Sequence, residues 1–432
     1  MIHPIDYRYG SQEMKEIFEE DQKLQYYLDV EAALAEAHAE LGHIPQEEAE
    51  KIRKAASTNV VTLERVKEIE VRTKHDIMAV AEALSEASQS GYVHLGATSN
   101  DIVDCSNALQ LRKATEIVLK DVKELENALS AKAEQYIHLV CVGRTHAQHS
   151  VPTTYGMKFG LYLDEMRRNE KRITAAYNTI CGKMSGAVGT MASMKDGIRI
   201  QELVGRILGI PMARITNQIV QRDTYAELLM SLAILASTLD KMATEVRNLQ
   251  RTEIHEVSEG FAKGQVGSST MPHKKNPITC EKVSGLSRVI YSNAFPALQN
   301  NVLWHERDLT NSSCERVILP ETFVLVDEIL KSMISVVSTL VMHTDRIKEN
   351  LYMQRQSLAE SIMIALTEKG MPRQEAHALL RKLSGEKDFV EAVKNSVKNM
   401  LSEREIDQLL APENYIGEAV QIVENILSNE WC

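Results

Sequence analysis

Three apolar seams constrain the fold of this 432-residue chain more than any other feature. Leu228, Leu232, Leu235, Leu239, Met242, Val246 and Leu249 are spaced alternately by four and three residues, the repeat that lines one face of a helix packed in a bundle. Phe323, Val326, Leu330, Met333, Val337 and Leu340 repeat it, and Val118, Val122, Leu125 and Leu129 form a shorter version. Arg222-Asp223 and Pro320-Glu321 read as the starts of the first two helices, with an acidic first turn or a proline at the first helical position. Thr98–Asp101 precedes the third. Each helix is predicted to exceed the usual ~11–12 residues. Helices this long need apolar partners along their whole extent and one chain supplies few, so the seams predict association with further subunits.

Composition points the same way. Aromatic residues are 5% of the chain, and Ala, Leu, Glu, Lys and Met are abundant, which favours long helices over sheets. The chain is expected to be all-α, with an N-terminal helical part over residues 1–95, a central long-helix bundle over 96–355 and a C-terminal helical part over 356–432. In the last part Gly370-Met371-Pro372 predicts a turn between helices, and Pro412 precedes another helical stretch. The net charge of -11 argues against a general nucleic-acid or membrane-surface role, since either wants a basic face. An anionic substrate would instead need a local basic pocket, for which Arg8, Lys74, Arg144, Lys274, Lys275, Arg307 and Arg316 are candidates. The six cysteines form no C-x-x-C pair and suit a reducing compartment. Without an apolar N-terminal region or a run of ~20 apolar residues, a soluble, cytoplasmic protein is expected.

Chemistry concentrates in three polar segments. Gly91–Asp101 reads G-Y-V-H-L-G-A-T-S-N-D, Gly143–His149 reads G-R-T-H-A-Q-H, and Gly267–Pro277 reads G-S-S-T-M-P-H-K-K-N-P. Taken singly, a Ser-Ser pair is a turn or helix cap and a lone histidine is a surface or structural residue. Together, and in this order, the segments resemble the fumarase/aspartase superfamily, and the resemblance covers nearly the whole chain from Arg8-Tyr9 onward. Glu306–Arg316, E-R-D-L-T-N-S-S-C-E-R, is similar to the substrate segment of the adenylosuccinate lyase family. His273 of M-P-H-K stands where fumarases and aspartases typically carry glycine. Argininosuccinate lyases tend to have M-P-Q-K, and carboxymuconate cycloisomerases usually lack the histidine of R-T-H.

The resemblance implies a fumarase/aspartase-like fold in a homotetramer, its long central helices forming a multi-helix bundle across the four subunits. It implies β-elimination of fumarate from adenylosuccinate to give AMP and from SAICAR to give AICAR, a carbon–nitrogen lyase of purine nucleotide biosynthesis. Such a reaction removes a weakly acidic proton beside a carboxylate, stabilises the charge that develops and protonates the leaving nitrogen. By resemblance Ser268 is the base. A serine serves only if its alkoxide is stabilised, which asks for Lys274 and oriented N–H groups. His146 is the acid, since imidazole titrates near neutrality, and Glu281 would hydrogen-bond it. Arg8, Tyr9, Lys74, His75, Asp76, Thr98, Ser99, Thr145, Gln218, Ser269, Met271, Asn276, Arg307, Ser312 and Arg316 match substrate-binding positions.

Ser312 and Arg316, four apart, would face one phosphate on a helical turn. Thr98 and Ser99 bring hydroxyls to an expected helix N-terminus, a natural anion site. Asp76 reads equally as a helix N-cap, and His94 and His149 as supporting residues. No metal or organic cofactor is required by this chemistry, and the histidines lack H-x-x-x-H or H-E-x-x-H spacing. Lys74 replaces the commoner Arg before His-Asp, and Asn100 replaces Thr in T-S-T-D, so substrate contacts near these two are where the pattern is weakest.

Overall fold

The structure is a computed structural model that describes residues 3–260, 271 and 274–428. The chain forms two compact units, each assembled from three stretches: Met1–Lys123, Arg168–Leu239 and Gly285–Lys331 in the first, Glu124–Arg167, Asp240–Ser284 and Ser332–Cys432 in the second.

The three seams become the longest helices of the described chain, Ser99–Gln135, Asp223–Leu249 and Thr310–Thr339. Their seam residues are buried, from Leu228 and Phe323 at 0% exposure to Leu340 at 7%, with Val246 alone half-buried. The seams are thus covered within a single chain, which removes the argument that their burial demands further subunits. Exposed apolar residues lie elsewhere, among them Phe295, Val302, Trp304 and Val317.

The expected helix start at Pro320 is corrected. The helix begins at Thr310 and Pro320 lies inside it, where the ring offers no N–H to the Arg316 carbonyl. The start is set by Asp308, whose Oδ1 accepts from the Thr310 N–H at 2.8 Å and from its hydroxyl at 2.5 Å.

In the first unit the Glu20–Glu40 helix buries Leu24, Leu28, Ala32 and Ala35, and the Asp76–Ser88 helix buries Ile77, Val80 and Leu84. The N-terminus is tied to the Thr310–Thr339 helix. The Gly10 N–H donates to Glu328 at 2.9 Å and the Ser11 N–H to Asp327 at 2.6 Å. Gly10 has φ +78, and a β-carbon there would lie 2.4 Å from Val324, so only glycine fits that approach.

The second unit holds the departure from an all-α chain, an antiparallel hairpin of Val140–Thr145 and Gln148–Thr154, together with the short pair Val257–Ser258 and Val341–Met342. Its C-terminal helices close on their own core of Leu358, Ile362, Leu380, Phe389, Val393 and Ile406. As expected, Gly370 (φ 100) turns the chain between the Ala359–Glu368 and Arg373–Leu383 helices.

Candidate active site

A cavity of about 760 Å³ lies within the first unit, inside the range of ~300–1,000 Å³ typical of small-molecule sites. It is lined by Lys74, His75, Asp76, Thr98 and Ser99 from one side of the sequence and by Gln218, Arg307, Ser312 and Arg316 from the other. Predicted residues more than 200 positions apart thus meet in one chain. Arg8 and Tyr9 are not among the lining residues; Arg8 is exposed, its guanidinium 5.9 Å from the Tyr9 ring.

Local backbone chemistry sets each group. Lys74 ends the Leu63–Thr73 helix in the left-handed conformation (φ 55). The N-cap of the next helix is His75, not Asp76 as the sequence suggested: His75 Nδ1 accepts from the Met78 N–H at 3.4 Å. This leaves Nε2 as the protonated ring nitrogen, 3.4 Å from the Ser99 hydroxyl. Asp76 is released for another task and accepts from Arg316 at 2.8 Å. Ser99 opens the long helix as predicted, and the Thr98 N–H is held by Asp101 at 2.8 Å. Asp101 is buried, paired with the buried Lys183 ammonium and bonded to the Ser185 N–H at 2.9 Å. That pair fixes the helix N-terminus that presents Thr98 and Ser99.

Arg307 is held without a carboxylate. One of its Nη atoms donates to Asn100 at 2.6 Å and to Gln218 at 3.1 Å, and its buried Nε has no partner among the described residues. Burial pushes its pKa down. Asn100, which departs from the commoner sequence pattern, therefore has a defined task. Ser312 and Arg316 share the first turns of the Thr310–Thr339 helix, as their spacing implied.

The sequence reading missed several cavity residues. Arg222 opens the Asp223–Leu249 helix as expected, and it is also 2% exposed, bridging Asp104 (2.8 Å) and Glu315 (2.8 Å). Lys23 and Tyr27 also line the cavity. Their spacing of four on a helix was the available signal. His94 is a support: its Nδ1 lies 2.6 Å from Glu31, whose other oxygen accepts the His94 N–H at 3.1 Å.

The second unit carries the proposed proton-transfer groups. G-R-T-H-A-Q-H forms a tight hairpin in which Arg144 faces His149 and Thr145 faces Gln148. His146 and Ala147 occupy the two turn positions at φ 53 and 61. This is the conformation of a type I′ turn, which non-glycine residues adopt at a cost of about 1 kcal/mol each. Gly143 marks an irregularity in the register, where a β-carbon would lie 2.6 Å from the Val151 carbonyl. Arg144 anchors the strand. It donates to buried Glu256 at 2.5 Å, and Glu256 also accepts from Tyr155 at 2.6 Å and Asn350 at 2.9 Å. Burial opposes the Glu256 charge, but these three donors outweigh it and hold the carboxyl below its ordinary range. Burial and Arg144 push the His149 pKa down.

Of the third segment, Ser268, Ser269 and His273 lie outside the described residues. Met271 and Lys274 are exposed and Asn276 is half-buried. Gln250 ties the two stems together, accepting from the Glu259 N–H and donating to the Lys275 carbonyl, both at 2.9 Å. The Glu259 carboxylate caps the Ile278–Gln299 helix through the Thr279 and Cys280 N–H groups. Glu281 stands exposed in its first turn, and no hydrogen bond joins it to His146 within the chain.

Comparison with known proteins gives this geometry a family. Residues 6–291 match the model of the lyase family, and residues 356–426 match that of the adenylosuccinate lyase C-terminus. The chain is 57% identical to adenylosuccinate lyase of Pyrococcus abyssi, over 99% of this chain and 97% of that one. It is 48% identical to adenylosuccinate lyase of Methanothermobacter thermautotrophicus, over 100% and 99%. Among solved structures it is similar to the 3-carboxy-cis,cis-muconate lactonizing enzyme of Pseudomonas putida, with a TM-score of 0.90, 29% identity and 98% coverage of both chains. By sequence along its whole length, and with the lyase and C-terminal models both matched, the chain belongs to the adenylosuccinate lyase family.

Proposed function

We propose that the chain eliminates fumarate from adenylosuccinate to release AMP, and from SAICAR to release AICAR, as a carbon–nitrogen lyase of purine nucleotide biosynthesis. The observation that carries this reading is the cavity, where Arg307, Arg316, Lys74 and the Thr98–Ser99 helix terminus gather in one chain that also has the family's C-terminal part. Such a collection suits a ligand with a phosphate and two carboxylates.

In the proposed mechanism Ser268 takes the proton from the carbon next to the carboxylate, its alkoxide stabilised by Lys274. The electron pair left on carbon forms the double bond of fumarate as the C–N bond breaks. His146 gives its proton to the leaving nitrogen, a contribution of about 10²–10⁴-fold. Glu281 orients His146, and Thr145, Ser269, Met271 and Asn276 complete the contacts to the succinyl part. Arg8 and Tyr9 add further substrate contacts, as the resemblance implies. The resemblance puts the complete site in a homotetramer, with His75, His146 and Ser268 supplied by different subunits; that Glu281 and His146 are not bonded among the described residues supports this reading. Exposed Phe295, Val302 and Trp304 are available to such contacts.

The enzyme works in the cytoplasm. Supporting this, no helix among the described residues is long and apolar enough to cross a membrane, and Cys105, Cys141, Cys181, Cys280 and Cys314 are free thiols.

Ultraviolet-monitored turnover of adenylosuccinate, with Ser268→Ala as control, tests the reading. Release of AMP and fumarate that vanishes in the variant is expected. A folded protein inert toward adenylosuccinate and SAICAR sinks it.

A further inference from the structure

We propose that Lys23 is an anion-binding residue of the cavity and shares the phosphate of the nucleotide with Arg316. The assignment rests on the nucleotide reading above and adds to it a residue from a helix outside the three motif segments. Lys23 lies in the first turn of the Glu20–Glu40 helix and lines the cavity beside Tyr27, one turn further on. Its ammonium stands 5.8 Å from the Tyr27 ring centroid, a cation–π contact that offsets only part of a lost hydration shell.

The charges around it do not balance. Glu20 is engaged by Lys67 at 2.6 Å and Asp76 by Arg316 at 2.8 Å. No carboxylate lies within ion-pair distance of Lys23 among the described residues. Burial, and then the Arg316 charge, push the Lys23 pKa down. Lys23 and Arg316 therefore share the field of Asp76, and Glu20, the other carboxylate acting on Lys23, is already engaged by Lys67. Arg222, a buried guanidinium of the same cavity, has two carboxylate partners. A half-buried cation without an ion-pair partner costs stability. A phosphate bearing up to two negative charges supplies the missing balance, and lysine binds it as a point charge while arginine provides the planar fork. Tyr27 is buried, and at a spacing of four it shares the cavity-facing side of the helix with Lys23.

The test uses the full-length enzyme with Lys23→Met, which preserves the length of the stem, and Lys23→Arg, which preserves the charge. Inhibition constants for AMP and for adenosine, which lacks the phosphate, are measured against turnover, alongside the thermal midpoint without ligand. Lys23→Met is expected to weaken AMP about tenfold or more while adenosine is unchanged and the ligand-free midpoint holds or rises. Lys23→Arg retains AMP within a few-fold. Equal weakening of AMP and adenosine, or loss of AMP in step with a falling midpoint, makes Lys23 a structural residue and overturns the proposal. Wild-type protein that neither turns over adenylosuccinate nor binds AMP overturns both readings. Wild-type protein that does both, with AMP affinity unchanged in Lys23→Met, overturns the Lys23 assignment alone.

Discussion

The cavity unit and the hairpin unit support their functional groups in opposite ways. In the first, the candidate groups are bonded within the unit: Asp76 with Arg316, Arg307 with Asn100 and Gln218, Arg222 between Asp104 and Glu315. In the second, the support is gathered on buried Glu256, yet His146, Lys274 and Glu281 are exposed and their side chains make no bond among the described residues. On the proposed assignment, the groups that would bind the ligand are bonded to their own chain, whereas those that would move protons are placed by backbone geometry alone.

Four substitutions probe that contrast. The largest effect is expected of His146→Gln: kcat falls by about 10²–10⁴-fold while AMP affinity is kept. A parallel loss of AMP binding would mean that the hairpin also builds the binding site, and the contrast would fail. Next, Arg222→Met leaves Asp104 and Glu315 buried without their cation and is expected to destabilise by about 3–5 kcal/mol, read as a lower thermal midpoint. A midpoint shift no larger than that of a surface substitution would show the cavity frame to be independent of this network.

The third substitution, Glu256→Gln, is expected to cost about 1–3 kcal/mol at neutral pH. The folded carboxyl titrates below its ordinary 4.5. The wild-type contribution is therefore fully present above about pH 4.5 and disappears as pH falls through the folded value. Midpoints measured across that window should converge for wild type and variant; parallel curves would contradict the assignment. The smallest effect is expected of Asn100→Ala, which removes one of the two carboxamides on Arg307. KM should rise several-fold, equivalent to about 1 kcal/mol, with little change in kcat. An unaltered KM would mean that Gln218 alone suffices.

How much of this was legible before the fold depended on the range of the signal. The seams were readable because heptad spacing directly reports a buried helical face, and all but Val246 are buried. Pro320 misled because proline favours a first helical turn only as a local tendency, and the Asp308 cap earlier in the chain overrides it. The hairpin was hidden by the brevity of its strands, the bulge at Gly143 and a long helix on either side. Exchange of the capping role between Asp76 and His75 depends on Arg316, 240 positions away, which no local pattern encodes. Convergence of the cavity residues came from resemblance rather than from spacing. Arg222 and Lys23 match no motif and became visible only once their neighbours were in place.

The hairpin at His146 also sets how this part of the chain can change in length. Its turn consists of two residues, with Thr145 paired to Gln148 and Arg144 to His149. Successive strand residues face opposite ways, so adding one residue between Arg144 and His146 would turn the arginine away from Glu256 and displace the histidine from the tip together. The segment behaves as a ruler. Ala147 can be exchanged for another residue tolerant of positive φ, such as glycine or asparagine, whereas a single insertion or deletion is expected to detach anchor and acid in one step.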